Sequence, residues 1–498
     1  MESSWSDAFL ASKRNFWIVG ALTIVLFAAA NLPWELDEYD QAKQAFTSFE
    51  MIQEGHWLYQ RTPDDAVATK PPLIGWISAA AFAVTRSWEI SWRLPSFAAA
   101  IILLVLIARA AGAAYGGSAA FIAMSAFGLN LLSPRLATLV RTDMPLALVI
   151  CLIGLQIWQK IRRREVWGSR DRVVQFALLT AAMLIKGPIV WAFLLPGIAF
   201  FQWRMRKKDG ETSAWCGWWP WIASLSIFLV WAVGGIISVP GFYEHVVVRE
   251  FAGRFGETIH RSQSIFFSLL HLLHKVAPWS LVLIAFAIVD LRGRRLDRLK
   301  RSSLQERQDR QELPPETFWL LGWSLSGLIV MSLIPSKRVD RIFPIVPPLC
   351  LLLAAQFAQL RSDESTARLR QYFGIAVIFA CVFSGGYAAA RIVNGYRTDR
   401  ASLARIGKQM REEGAAHNWR YEVVAGRGGG ILLYLQRTHF IEPERAVAEW
   451  NAGKIDVLVG PEDDAPKLMQ RLEGVSNAHM QSVERRGSNL QYFVLKRN

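Results

Sequence analysis

The chain has 498 residues, 52% of them hydrophobic and 19% charged, with a formal net charge of +15 at pH 7. Several apolar runs approach the ~20 residues that cross a bilayer, which excludes a soluble globular protein and indicates a polytopic α-helical membrane protein. A charge of this size would otherwise suggest nucleic acid, but the basic residues stand in short clusters between apolar runs, the pattern of cytoplasmic loops, so no nucleic-acid partner is expected.

The first apolar run, Phe16 to Leu32, follows Lys13 and Arg14. Ala28, Ala29 and Ala30 resemble a cleavage site, but ~17 residues exceed a usual signal-peptide core, so an uncleaved anchor is expected. Further spans are expected at 93–112, 117–134, 144–160, 173–187, 188–203, 219–238, 278–291, 317–335, 342–360 and 372–390, about 11 in all with 16–33. The run 73–86, at about 14 residues, is short for a span. Counting it as one would invert every later loop. Left on the surface, it puts Lys160, Arg162 to Arg164, the basic clusters at 204–208 and 292–301, and Arg361, Arg368 and Arg370 on the side of Lys13 and Arg14, as the positive-inside rule prefers. The outer side then holds 35–92, 135–143, the turn at Lys186 and Gly187, 239–277 and 336–341.

Behind the first span lies an acidic, polar stretch, Glu35 to Pro72. Ionisable groups beside a bilayer are expensive and tend to mark function, so this stretch is read as an active-site loop. Ala42, Ala45, Phe46, Phe49 and Ile52 recur at helical spacing and make one apolar face, which predicts a helix lying on the membrane surface. Asp37 falls at its N-cap, and Lys70 precedes the stiff Pro71-Pro72 turn. Taken singly, these are an ordinary cap and a snorkelling lysine; their company is what suggests a site.

In the outer loop 239–277, Arg249, Arg254, His260 and Arg261 stand among Phe242, Tyr243, Phe255, Phe266 and Phe267, a mixture suited to an anionic headgroup on an isoprenoid. A solvated basic loop is the plainer account. Trp215, Trp218, Trp219 and Trp221 read as an interfacial belt. Cys151, Cys216, Cys350 and Cys381 lie far apart, with no disulfide framework or zinc-ligand spacing. After Arg391 the spans stop, and 421–425, 431–435, 455–460 and 490–495 read as strands or buried segments among helical stretches such as 443–452. Residues 1–390 are thus expected to form a transmembrane domain carrying the 34–92 loop, and 391–498 a small α/β domain on the outer side. The glycines at 426–430 lack dinucleotide-binding spacing.

Seven motifs in order, LDEYDQAKQAFTSFEMIQEGHW (36–57), TKPPLIGW (69–76), WRLPSF (92–97), RLATLVRTDMPL (135–146), LIKGP (184–188), PWS (278–280) and SLIPSKRVDRIFPIVPP (332–348), resemble the bacterial aminoarabinose transferases and protein O-mannosyltransferases. These are GT-C glycosyltransferases that use polyprenyl-phosphate sugars, and the resemblance covers roughly residues 10 to 390. It implies a GT-C fold and inverting transfer of a hexosyl or pentosyl group from an undecaprenyl-phosphate donor. The acceptor would be lipid A, another glycan or a protein, met on the periplasmic face of a bacterial inner membrane.

Such transfer needs a base for the acceptor and cations for the departing phosphate. By resemblance, Asp37 matches the family's first acidic position and serves as base, while Asp143 matches the second; the alternative for Asp143 is an N-cap for a span starting at Met144. Lys70 matches the lysine assigned to the donor phosphate, with Lys337, Arg338 and Arg341 as further phosphate-binding cations. Glu38, Arg254, His260 and Lys186 are candidate substrate-binding residues, with a structural role as the alternative for Lys186. Arg341 stands where the family commonly has tyrosine, which adds positive charge. The sequence leaves the need for a divalent metal open: related oligosaccharyl transferases use one, and Asp37 and Asp143 with neighbouring lysines could do without it. The rival class is a lipid-linked sugar flippase or transporter, which would carry its ionisable groups near mid-membrane on broken helices; here they cluster in outer loops.

Overall fold

The computed structural model describes residues 5–36, 40–205, 213–251, 253, 263–286, 288, 313–360, 364–424, 429–474, 479–484 and 491–497. Among them, six helices are long and apolar enough to cross a membrane: Trp88–Tyr115, Asp143–Arg163, Trp219–Ser238, Pro315–Leu333, Val339–Gln359 and Leu369–Arg397. Two bent pairs, Trp5–Ala11 with Lys13–Ala29 (66°) and Phe267–Lys275 with Trp279–Phe286 (108°), bring the number to eight if each is one span. The chain is a multi-pass membrane protein.

The remaining expected spans fold as helices that are shorter or more polar. Ser169–Lys186 carries charge in its first turn, Ile189–Met205 has 17 residues, and Gly117–Gly128 has 12. The last ends six residues before the expected boundary at 134 because Asn130 turns the chain inside the core. Its Oδ1 accepts from the N–H groups of Leu132 and Ser133, both at 2.9 Å, an alternative that asparagine offers to helical bonding.

The helix Leu73–Thr85 has 13 residues. At 1.5 Å per residue it is about 20 Å long, well under the ~30 Å of a hydrocarbon core. It packs against the helices Trp88–Tyr115 and Asp40–Glu54.

One expectation is corrected. The apolar face of Asp40–Glu54 is not laid on lipid: Ala42, Ala45, Phe46 and Phe49 are at most 2% exposed and share a core with Trp88, Trp92, Leu403, Met410 and the segment 431–435. Phe49 meets Trp88 edge-on at 5.5 Å, and Trp88 stacks on Phe82 at 3.9 Å. Amphipathic period reports that a face is covered; here the cover is protein, and each buried Phe stabilises the docking by about 1.5–3 kcal/mol.

That cover is the C-terminal region, a four-stranded sheet in the order β1-β2-β4-β3, with β1 (Tyr421–Val423) parallel to β2 (Val457–Pro461) and β4 (Gln491–Lys496) antiparallel to both β2 and β3 (His479–Glu484). Residues 431–435 are buried as read, but as the helix Gly430–Leu435 rather than a strand. The phenol of Tyr434 on this helix accepts from the Leu36 N–H at 2.9 Å, joining the C-terminal region to the segment behind the first helices. The tryptophan belt also divides, since Trp218 is 70% exposed while Trp221 is buried and stacks on Trp215 at 5.7 Å.

Candidate functional site

Three segments distant in sequence meet at one end of the bundle: the first turn of Asp40–Glu54, the loop 138–143 and the run Ser336–Arg341. The loop is fixed by side chains that satisfy its backbone, as a buried loop requires. Gln41 Oε1 accepts from the Val140 N–H at 3.2 Å, Ser96 Oγ donates to the Leu139 carbonyl at 2.8 Å, and Asn31 donates to the Arg135 carbonyl at 2.7 Å and Thr138 Oγ1 at 2.8 Å. Its guanidinium, Arg141, therefore points to one place and bridges two carboxylates, Asp40 at 2.6 Å and Asp340 at 2.5 Å. Arg338 completes the group, donating through Nη1 to Asp40 Oδ1 at 3.2 Å and through Nη2 to Oδ2 at 2.5 Å, the two-pronged geometry at which arginine excels.

Asp143 is the first residue of the span Asp143–Arg163, with Thr142 as its cap, so it is not the N-cap that the sequence allows. Its carboxylate instead takes the Lys186 ammonium at 2.5 Å, with both side chains under 10% exposed. Local sequence explains the aim of Lys186. It ends the helix Ser169–Lys186, Gly187 follows at φ +74, a conformation that side chains resist, and Pro188 cannot continue the helix, so the chain reverses and leaves the ammonium facing Asp143.

The run Ser336–Arg341 enters a 3-10 helix, Val339–Ile345. Side chains three apart eclipse in such a turn, which puts Arg338 and Arg341 on one side. Both line a cleft with Ser336 and Lys337, over an apolar floor of Ile189, Met331, Ile334 and Ile342. Arg341 donates to the Ser336 carbonyl at 2.7 Å, and Lys337 to the Gln263 carbonyl at 2.9 Å. The Ser336 hydroxyl is buried and has no hydrogen-bond partner among the described residues. The cleft thus offers three cations and a hydroxyl above a hydrocarbon surface, which fits an anion carried on a lipid tail.

Lys70 is half-buried in the turn before Leu73–Thr85. Its loop is held to the span Trp219–Ser238, because Tyr59 donates to the Trp231 carbonyl at 3.0 Å and the Trp231 indole to the Leu58 carbonyl at 3.1 Å. Asp37, Glu38, Arg254 and His260 lie outside the described residues. Among those described, no three His, Cys, Asp or Glu side chains stand close enough to share a metal ion. Sequence reading missed Asp40, Arg141, Asp340 and Ser336, although all four fall inside the seven motifs. Asp40 in particular reads as an ordinary acid in the first turn of a helix, where the dipole favours it.

The family model Dolichyl-phosphate-mannose-protein mannosyltransferase matches residues 69–234. An undecaprenyl phosphate-alpha-4-amino-4-deoxy-L-arabinose arabinosyl transferase of Shewanella sediminis is 25% identical over 358 residues, covering 69% of this chain and 60% of that protein. A second such transferase, from Proteus mirabilis, is 21% identical over 385 residues, covering 73% and 65%. The chain therefore matches less than two thirds of these relatives' own length. Among solved structures, ArnT from Cupriavidus metallidurans bound to undecaprenyl phosphate superposes with a TM-score of 0.71 at 16% identity, covering 97% of this chain and 98% of that one. The oligosaccharyltransferase AglB of Archaeoglobus fulgidus gives 0.53 at 12% identity, covering 96% and 73%. At these identities the likeness shows the fold, which is GT-C. The chain thus has the GT-C fold and is similar, over 69–234, to the dolichyl-phosphate-mannose-protein mannosyltransferases and, over about 70% of its length, to the aminoarabinose transferases.

Proposed function

We propose that this protein transfers a sugar from a polyprenyl phosphate, undecaprenyl phosphate by analogy with its relatives, to an acceptor in the cell envelope. The observation that carries the reading is the cleft where Ser336, Lys337, Arg338 and Arg341 stand over Ile189, Met331, Ile334 and Ile342. A phosphate meets the rim and an isoprenoid the floor. The relatives' names support 4-amino-4-deoxy-L-arabinose as the sugar, and lipid A is the acceptor this reading favours over other glycans or proteins. Ionisable groups at helix ends and in one cluster of loops, not on broken helices at mid-membrane, weigh against a flippase.

In this mechanism the acceptor oxygen or nitrogen attacks the anomeric carbon from the face opposite the phosphate, so the configuration inverts. Asp37 takes the acceptor's proton, and the bond to the phosphate oxygen breaks. The phosphate leaves as a stable anion, so it needs cations rather than a strong acid, and Lys70 with the rim of the cleft supplies them. Asp143 is committed to Lys186 and holds the end of the helix Ser169–Lys186 to the start of Asp143–Arg163.

The topology proposed with this reading puts the site and residues 391–498 on the periplasmic side of the inner membrane, with Leu73–Thr85 not crossing. Arg86 and Lys454 are both exposed. Cysteines placed at these two positions should both react with a membrane-impermeant reagent added to intact spheroplasts; protection of either one rejects the topology.

The function itself is tested at Lys70. Lys70→Ala should weaken binding of a polyprenyl-phosphate sugar and slow transfer together, whereas a lysine that only snorkels to headgroups predicts neither. Lys70→Arg keeps the charge but swaps a compact ammonium for a wide planar fork beside two rigid prolines, so binding should recover further than turnover. Parent-like binding and transfer by Lys70→Ala would move the phosphate contact to Lys337, Arg338 or Arg341.

A further inference from the structure

Arg338 stands in the wall of the cleft yet gives two N–H groups to Asp40. Asp40 is not there to neutralise Arg141, because Arg141 has a second carboxylate, Asp340, at 2.5 Å. The described lining of the cleft holds Lys337, Arg338 and Arg341 and no carboxylate, while the ion pairs beside it join Arg141 and Arg338 to Asp40, Arg141 to Asp340 and Lys186 to Asp143. The cleft wall is therefore cationic, and a lipid phosphate held by its three cations would leave slowly.

Resting on the reading of the cleft as a donor site, we infer that Asp40 is a resident counter-anion: it competes with the lipid phosphate for Arg338 and hastens release of the more highly charged product. The chemistry of transfer supplies the asymmetry. A sugar-linked donor is a phosphodiester with one negative charge, whereas the polyprenyl monophosphate left behind carries about −1.5 to −2 at pH 7, with a second pKa near 6. Repulsion from a fixed carboxylate rises in proportion to the ligand's charge, so Asp40 penalises the product more than the donor. Where release limits turnover, this raises the rate.

Asp40 keeps its charge over the pH range that matters. Burial pushes its carboxyl up, but the Arg338 hydrogen bond and the charges of Arg141 and Arg338 outweigh that, with Asp143 opposing, and hold it below the ordinary carboxylate range. At pH 5 Asp40 is thus still ionised, while the free monophosphate, with its second pKa near 6, is mostly a monoanion.

The test uses the full chain in lipid nanodiscs and three probes: undecaprenyl monophosphate, its methyl diester and undecaprenol. The parent should bind both phosphates far better than the alcohol; equal binding of all three rejects the donor-site reading itself, an outcome distinct from any difference between the parent and its Asp40 variants. In Asp40→Asn the Kd for the monophosphate should fall about 10-fold at pH 7.5 and that for the diester about 3-fold, the order expected on removing one nearby like charge. The difference between the two ligands should narrow at pH 5, as the monophosphate approaches a single charge. Asp40→Glu keeps the charge and should resemble the parent, and Asp40→Ser carries the same expectation as Asp40→Asn should the amide variant not fold. Equal tightening for both ligands, unchanged binding or weaker binding overturns the inference, and weaker binding would make Asp40 a positioning residue for Arg338.

Discussion

Asp37→Asn is expected to lose transfer by about 10²- to 10⁴-fold, the usual contribution of a general base, while binding of the polyprenyl-phosphate sugar stays near that of the parent. The amide keeps the shape of the carboxylate but cannot take a proton, so the loss should fall on turnover and leave the donor Kd alone. The next helix begins at Asp40, and Asp40 is committed to Arg141 and Arg338; Asp143 is committed to Lys186. Neither is placed to substitute. Single-turnover transfer with a well-folded Asp37→Asn protein measures this directly, and parent-like turnover would remove Asp37 from the role of base.

The second large effect is on stability. Lys186→Ala should destabilise the protein by several kcal/mol, toward the lower part of the range of about 3–5 kcal/mol seen when one partner of a buried ion pair is removed. The reason is the stranded charge. Both side chains are under 10% exposed, so Asp143 would be left desolvated, softened by the charges of Arg141, Arg341 and Arg338 nearby. Lys186→Met combined with Asp143→Asn should recover much of the loss, because no buried charge then lacks a partner. Melting in detergent, followed for the parent, both single variants and the double variant, measures the coupling. A Lys186→Ala protein that melts with the parent would mean that water or another cation already solvates Asp143.

Much of the architecture was legible before folding because it depends on local composition. Apolar runs of sufficient length read as helices, and each expected span contains a helix among its described residues. The errors fall where a residue's local option competes with length: Asn130 ends its helix early by accepting two backbone bonds, and 431–435, apolar throughout, carries no period that separates a buried strand from a buried helix.

By itself the sequence determined that an amphipathic helix follows Asp37, that the chain turns at Lys186 and Gly187 between two apolar runs, and that ionisable residues gather in the loops between such runs. Only the tertiary structure decided what those features meet. Period shows that Phe46 and Phe49 are covered but not whether lipid or protein, here Trp88 and the helix Gly430–Leu435 among others, covers them. Charge identity shows that Asp40, Arg141 and Arg338 could pair, yet they lie 101 and 298 positions apart in the pairs Arg141–Asp40 and Arg338–Asp40. An ion pair forms within a few ångströms or hardly at all, so docking of three segments, which no local pattern encodes, set which carboxylate each cation keeps.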